Sequence, residues 1–173
     1  MRELKYKALS TAAFGIYGSY AAMISPEKNE PGSIKIGAAP IEFFRDMLQS
    51  GLGSDCVVSF GVCRVARRPF VIDASEYHDT SCEAMMPIDG DVLVHVAPAV
   101  PDDRFPGELA EAFLVPKGTM VVTRPGVWHH GPFTLGAESV SCLIALPERL
   151  YQRDCHSVAL EGENRISIVG AGI

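Results

Sequence analysis

Five side chains stand at spacings that can build one reaction centre: Glu76, His78, Glu83, His129 and His130. Glu76 and His78 are two apart, so on a strand they project to the same face and aim a carboxylate and an imidazole at one spot. Glu83 follows shortly, and the run Pro125-Gly126-Val127-Trp128-His129-His130 lies downstream, where a folded-over barrel brings it opposite the first group. Two imidazoles with one or two carboxylates offer nitrogen and oxygen donors suited to a divalent Mn, Fe, Zn, Ni or Co ion. If His78, Glu83 and His129 bind on one side of such an ion, the opposite positions stay open for water or substrate oxygens, and Glu76 completes the set or serves as a base.

Neighbouring residues weigh less. Adjacent strand residues face opposite sides, so His129 is expected inward and His130 outward, unless a bulge brings both in. Trp128 reads as wall packing or, less simply, a substrate platform. Lys117 and Arg124 sit in or near turns, where exposed charge is the default and clamping of a substrate carboxylate the alternative. His95 and His156 read as ordinary hydrogen-bonded or exposed histidines. Cys82 is expected to face away from Glu83.

Strands must position these groups. From residue 56 onward, short apolar runs alternate with turn signals, the pattern of a sandwich or barrel. Strands are predicted over Cys56–Val62, Phe70–Ile72, Asp91–Ala97, Glu111–Val115, Met120–Thr123, Val140–Leu146 and Ile166–Val169. In Asp91–Ala97, Val92, Val94 and Val96 share one face, and Leu93, His95 and Ala97 the other. Asp89-Gly90 before it signals a hairpin turn. Ile41, Phe44 and Leu48 repeat at helical spacing after Pro40, which predicts a helix over Pro40–Gln49 ended by Gly51 and Gly53. Residues 25–39, with Pro26, Pro31 and Gly32, read as a long loop. No function is attached to residues 25–55 or 156–173.

The 173 residues suit a single domain, with a core barrel over about 56–158. A net charge of −6, from 15 basic and 21 acidic residues, opposes attraction to nucleic acid or anionic lipid. The partner is expected to be a small molecule or a second copy of the chain. Five cysteines, Cys56, Cys63, Cys82, Cys142 and Cys155, form neither a C-x-x-C pair nor an even set, which fits a reducing cytoplasm. The apolar run Ala12–Ile24 is broken by Gly15, Tyr17, Gly18, Ser19 and Tyr20, a poor export signal, and no stretch approaches the roughly 20 apolar residues of a membrane span.

The same residues carry a resemblance. Glu76-x-His78-x4-Glu83-x6-Gly90, then Gly118 followed by Pro125-Gly126-x2-His129, resembles the two motifs of the cupin superfamily. Glu76 replaces the first histidine, Phe70 the leading glycine and Phe133 the usual asparagine. Within that superfamily the chain looks most like the ureidoglycolate lyases, on Ala13-Phe14-x-x-Tyr17-Gly18, Glu76-x-His78, Glu83-Ala84-x-x-Pro87-x-x-Gly90, Gly126-Val127-Trp128-His129-His130-Gly131-Pro132 and Asp154-Cys155. Glu83 stands where that family usually has glutamine, and Leu146-Pro147-Glu148 near its usual Asp-Arg.

The resemblance implies an all-β, cupin-type double-stranded β-helix, a jelly-roll barrel, with one or two short helices in the N-terminal third. It implies a lyase that splits ureidoglycolate into glyoxylate and urea, assisted by a divalent metal at Glu76, His78, Glu83 and His129. Glu76 takes the hydroxyl proton and His130 assists the leaving nitrogen. A homodimer is also implied. Two alternatives share these residues: an isomerase or epimerase of a sugar or hydroxy acid, and a non-catalytic small-ligand barrel.

Overall fold

The computed structural model describes residues 1–29, 34–52 and 57–170. Runs rich in β-branched and aromatic residues form its strands: β1 (Arg2–Ala8), β2 (Gly18–Ala22), β3 (Ile34–Ala38), β4 (Ile41–Arg45), β5 (Val58–Ala66), β6 (Val71–Ile72), β7 (Ala74–Tyr77), β8 (Glu83–Pro87), β9 (Val92–Val96), β10 (Glu111–Val115), β11 (Thr119–Thr123), β12 (Phe133–Thr134), β13 (Ser139–Pro147), β14 (His156–Ala159) and β15 (Ile166–Val169). The short helix α1 (Thr11–Phe14) starts at Ser10, whose hydroxyl accepts the Ala13 N–H. None of the described helices is long and apolar enough to cross a membrane.

Two sheets form the body. One orders its strands β12-β9-β10-β1-β15-β6 and the other β2-β11-β8-β13-β5. The chain steps between them, with β8 in the second, β9 and β10 in the first, β11 in the second, β12 in the first and β13 in the second. This repeated crossing is the jelly-roll winding of a cupin-type barrel.

Alternation along β9 divides the core. Val92, Val94 and Val96 pack with Phe113, Val115, Met85, Val121, Val140 and Cys142 between the sheets. Leu93 and Ala97 point the other way, into a second cluster with Tyr77, Phe105, Trp128, Phe133 and Ile166. Because both faces of β9 are covered, all five of its residues are buried. Phe113 is fully buried and meets Phe14 edge-on at 5.3 Å; truncating such a residue to alanine costs about 3–5 kcal/mol.

Four expectations are corrected. Residues 41–45 form a strand rather than a helix, because Ile41–Arg45 pairs in antiparallel register with Ile34–Ala38. Phe43, lying between Ile41 and Phe44, breaks the helical stripe and joins a period-2 pattern instead. Those partner residues were expected to be loop. Asp89-Gly90 does not close a hairpin: β8 and β9 lie in different sheets, and the Asp89 carboxylate accepts the Ser141 N–H of β13 at 2.7 Å. The turn is a corner between layers. The sheets also recruit β1, β2 and β15, all outside residues 56–158; β1 runs parallel to both β10 and β15. Pro31, Gly32, Gly53 and Cys56 lie outside the described residues.

Candidate metal and acid–base site

One backbone pair joins the two motif regions. Glu76 N–H donates to the His129 carbonyl at 2.7 Å, and His129 N–H donates to the Glu76 carbonyl at 2.8 Å. Residues that exchange both bonds in an antiparallel ladder carry their side chains on the same face. The Gly126 N–H donates to the His78 carbonyl at 2.7 Å, which ties the turn before His129 to the end of β7. Gly126 has φ +76, and a Cβ there would lie 2.8 Å from that of Ala99. Glycine answers both demands.

The imidazoles are held from behind. His78 Nδ1 lies 2.7 Å from the Asp154 carbonyl, and His129 Nδ1 lies 2.8 Å from the Val127 carbonyl. A backbone carbonyl only accepts, so Nδ1 carries the proton in each ring and Nε2 faces forward. Both Nε2 atoms approach Glu83 Oε2, at 3.3 Å and 3.4 Å. Ligand atoms of Glu76, His78 and His129 also lie within 4.8 Å of one another. The structure therefore brings together all four residues expected to bind a metal.

Electrostatics follow from this crowding. Burial alone would lift the Glu83 carboxyl, but the charge of His129 and hydrogen bonds from both rings outweigh it and hold the group well below the usual carboxylate range. Burial alone would push His129 down, yet the Glu83 charge and hydrogen bond keep it above the ordinary imidazole value. Two forward-facing lone pairs and a carboxylate repel one another unless something positive sits among them. Ring protons satisfy that need, and so does a divalent cation. The donor set, with each ring braced by a backbone carbonyl, fits such an ion.

Glu76, Glu83 and His129 line a cavity of about 80 Å³ between the sheets, together with His95, His130, Thr123, Tyr151, Cys63 and the apolar Met85, Val94, Val96, Val121 and Ile144. At 10–15 Å³ per water centre this is room for roughly five to eight waters, which suits a compact molecule. His129 and His130 both line it. His130 was expected outward unless the strand bulged, and here the chain at His129 is an isolated bridge rather than a regular ladder.

The three expected substrate contacts stand elsewhere. Lys117 is exposed in the turn between β10 and β11. Arg124 is exposed, and its guanidinium donates to the Ile16 carbonyl at 3.0 Å. Trp128 is buried in the cluster outside the first sheet, with ring centroids 4.5 Å from Tyr77 and 5.8 Å from Phe105. None of the three lines the cavity.

Residues 1–167 match the family model described as Ureidoglycolate lyase. The chain belongs to the ureidoglycolate lyase family. No curated protein sequence matches it. Among solved structures, this lyase-family chain is similar to a mutant oxalate decarboxylase of Bacillus subtilis at 16% identity and TM-score 0.42, over 60% of this chain and 24% of that one. It is similar to a dTDP sugar isomerase of Desulfovibrio desulfuricans at 14% identity and TM-score 0.44, over 76% and 82%. It is also similar to a dTDP-6-deoxy-D-glucose-3,5-epimerase of Legionella pneumophila at 11% identity and TM-score 0.43, over 81% and 80%. The chain spans about a quarter of the length of the oxalate decarboxylase it matches.

Several site residues of this family member were not singled out for a role by sequence reasoning. Asp154 supplies the carbonyl behind His78, and its carboxylate accepts the N–H groups of Asp79 and Thr80 at 2.7 Å and 2.9 Å. Cys155 donates its S–H to Glu76 Oε2 at 3.4 Å; burial first, then the Glu76 charge, push its thiol up to about 12. Cys63 is raised by burial and by Glu83 and Glu76. Both thiols stay protonated and are poor nucleophiles. The Asp154-Cys155 pair was a visible signal, as part of the family resemblance. Tyr151 and Cys63 gave none, because only the fold brings them to the cavity.

Proposed function

We propose that the chain is a metal-assisted carbon–nitrogen lyase that cleaves ureidoglycolate, or a closely related small hydroxy acid, to glyoxylate and urea. The carrying observation is the pair of imidazoles, each fixed by a backbone carbonyl, whose Nε2 atoms converge on one buried carboxylate inside a small cavity. Family membership supports the lyase reading. The cavity volume supports a compact acid.

His78, Glu83 and His129 would hold the divalent ion, which leaves Glu76 as the base. When bound, such an ion polarises a substrate hydroxyl and lowers its pKa. Glu76 lines the cavity beside them and accepts the hydroxyl proton. The electron pair freed on oxygen forms the aldehyde carbonyl as the carbon–nitrogen bond breaks. His130, on the same wall, delivers a proton to the departing nitrogen, so urea leaves neutral. The apolar wall of Met85, Val94, Val96 and Val121 limits water around the reacting carbon. We place the active form as a homodimer.

The test replaces His78 and His129 by alanine together. Metal content, by elemental analysis of untagged protein, and urea release from ureidoglycolate should both vanish. Full activity in the double variant refutes the mechanism. Running the wild-type reaction in deuterated water separates the rival proton-shuffling reaction: label entering a substrate carbon without urea release favours an isomerase or epimerase.

A further inference from the structure

Among the described residues, strands β3 and β4 pair only with each other. In their register Ile36 opposes Phe43 and Ala38 opposes Ile41, so Ile34, Ile36, Ile41 and Phe43 share one face, with Arg45 at its end opposite Ile34. That face is in water: the four residues are 53%, 53%, 79% and 60% exposed. The opposite face carries the Lys35–Glu42 ion pair at 2.6 Å. An isolated two-stranded hairpin is marginal in water, and this one leaves its apolar face bare.

A second bare surface lies on β5, the end strand of its sheet. Cys63 and Val65 point inward, to the cavity and the core. Val58, Phe60 and Val62 point outward and are 39%, 71% and 62% exposed. Proteins guard open edges with charge, proline or a covering element. Along Val58–Ala66 this strand has one charged residue, Arg64, and no proline.

We propose that the β3–β4 hairpin of one copy covers the outer face of β5 on a second copy, and the reverse, in a twofold-symmetric pair. The inference rests on the homodimer proposed above and names its surface. Large apolar side chains span about 150–250 Å² each, so these exposures leave roughly 100 Å² on each of the seven residues, about 700 Å² in all. Divided between the two surfaces, that is about 400 Å² on the hairpin and about 300 Å² on β5, each within the roughly 300–600 Å² of the largest patch on an ordinary monomer. Together they come close to the roughly 800 Å² that one partner contributes to a stable interface. A second copy is the fitting occupant because it brings a hairpin for each β5 and a β5 for each hairpin, so one symmetry operation covers both surfaces twice. The Lys35–Glu42 face stays in water.

Sedimentation velocity of the intact protein tests this with two variants, Phe43→Lys and Phe60→Glu. Each places a charge at both symmetry-related contacts, so the dimer dissociation constant should rise at least about 100-fold for each alone. Mixing the two variants should restore a heterodimer, because one contact is then wild-type and the other joins lysine to glutamate. That recovery also shows that both variants are folded. A wild-type dimer that both variants leave intact overturns the surface while leaving the homodimer standing. Two monomeric variants that fail to pair on mixing overturn the hairpin-to-β5 contact. A monomeric wild type at micromolar concentration overturns both.

Discussion

Replacing Asp154 by alanine probes the brace behind His78. The Asp154 residue is 6% exposed, and its carboxylate accepts from the Asp79 and Thr80 N–H groups and from the Thr80 hydroxyl. Bonds to a charged acceptor contribute about 1.5–3 kcal/mol when dry, but Asp79 and Thr80 are exposed, so water recovers part of each. About 1 kcal/mol per bond leaves a loss of about 3 kcal/mol, and at about 2–4 °C per kcal/mol for a chain this size the melting temperature falls by roughly 6–12 °C. Asn keeps one acceptor oxygen, so Asp154→Asn should show about half of that. Loosening the loop also frees His78, for which a 10–100-fold loss of metal affinity is the usual scale. Burial alone would raise the Asp154 carboxyl, but hydrogen bonds from Thr80 and Asp79 hold it below its ordinary value. A depressed carboxyl stabilises above its unfolded pKa of about 3.9, and the contribution is lost as pH falls through the lower folded value. Melting by circular dichroism from pH 7 to pH 3 should therefore show the gap between wild type and Asp154→Ala narrowing only below about pH 4. A gap under about 1 °C at pH 7, or one that persists unchanged at pH 3, refutes the argument.

In metal-free protein, Glu83→Gln removes the charge that holds His129 above the ordinary imidazole value, leaving burial to lower it. The wild-type contribution is complete below the unfolded pKa of about 6.5 and fades as pH rises through the folded value, so NMR titration of the ring and stability against pH should move together, and an unmoved titration contradicts the coupling. Lys117→Ala and Arg124→Ala, both outside the cavity lining, should change KM for ureidoglycolate less than about 2-fold, well under the scale of a lost charged hydrogen bond; a rise of tenfold or more in either restores it as a substrate clamp. Gly126→Ala puts a side chain at φ +76 and against Ala99, and should cost about 1–3 kcal/mol by denaturant melt. An unchanged midpoint shows that the turn yields.

The strands around the site were legible where alternation was strong and flanked by turns. Glu111–Val115 and Ile166–Val169 form as read, Val92–Val96 forms inside the predicted Asp91–Ala97, and the spacing of Glu76, His78, Glu83 and His129 identified side chains that do converge. Legibility failed where pairing over distance decided the outcome. Residues Ile41–Arg45 carry an apolar pattern that fits helix or strand, and only the register with Ile34–Ala38 settles it. Asp89-Gly90 has the chemistry of a hairpin turn, yet the carboxylate is engaged by Ser141 from another strand. Strand β1 alternates weakly, through Leu4 and Tyr6 among charges, and owes its place to two parallel neighbours. Tyr151 and Cys63 are invisible to spacing because each reaches the cavity by a tertiary approach.

Glu83 is where this chain departs from the glutamine of the proteins it resembles, and charge counting gives the departure a consequence. The braces on His78 and His129 are backbone carbonyls, so the fold itself sets the tautomers and both rings act as neutral donors toward a cation. Glutamine at this position leaves one carboxylate, Glu76, and a divalent ion in the site keeps one positive charge to attract an acid. Glutamate cancels that charge. Among the described residues the cavity lining holds no lysine or arginine to replace it. His130, on that wall, is the group the proposed reaction also needs as its acid. Contact with the substrate carboxylate and donation of the proton then draw on one imidazole, so His130→Ala should lower affinity and turnover together. With glutamine at position 83 a loaded site would keep its charge, and adding His130→Ala to Glu83→Gln should raise KM less than it does in the wild type. An equal rise of KM in the two backgrounds contradicts this division of charge.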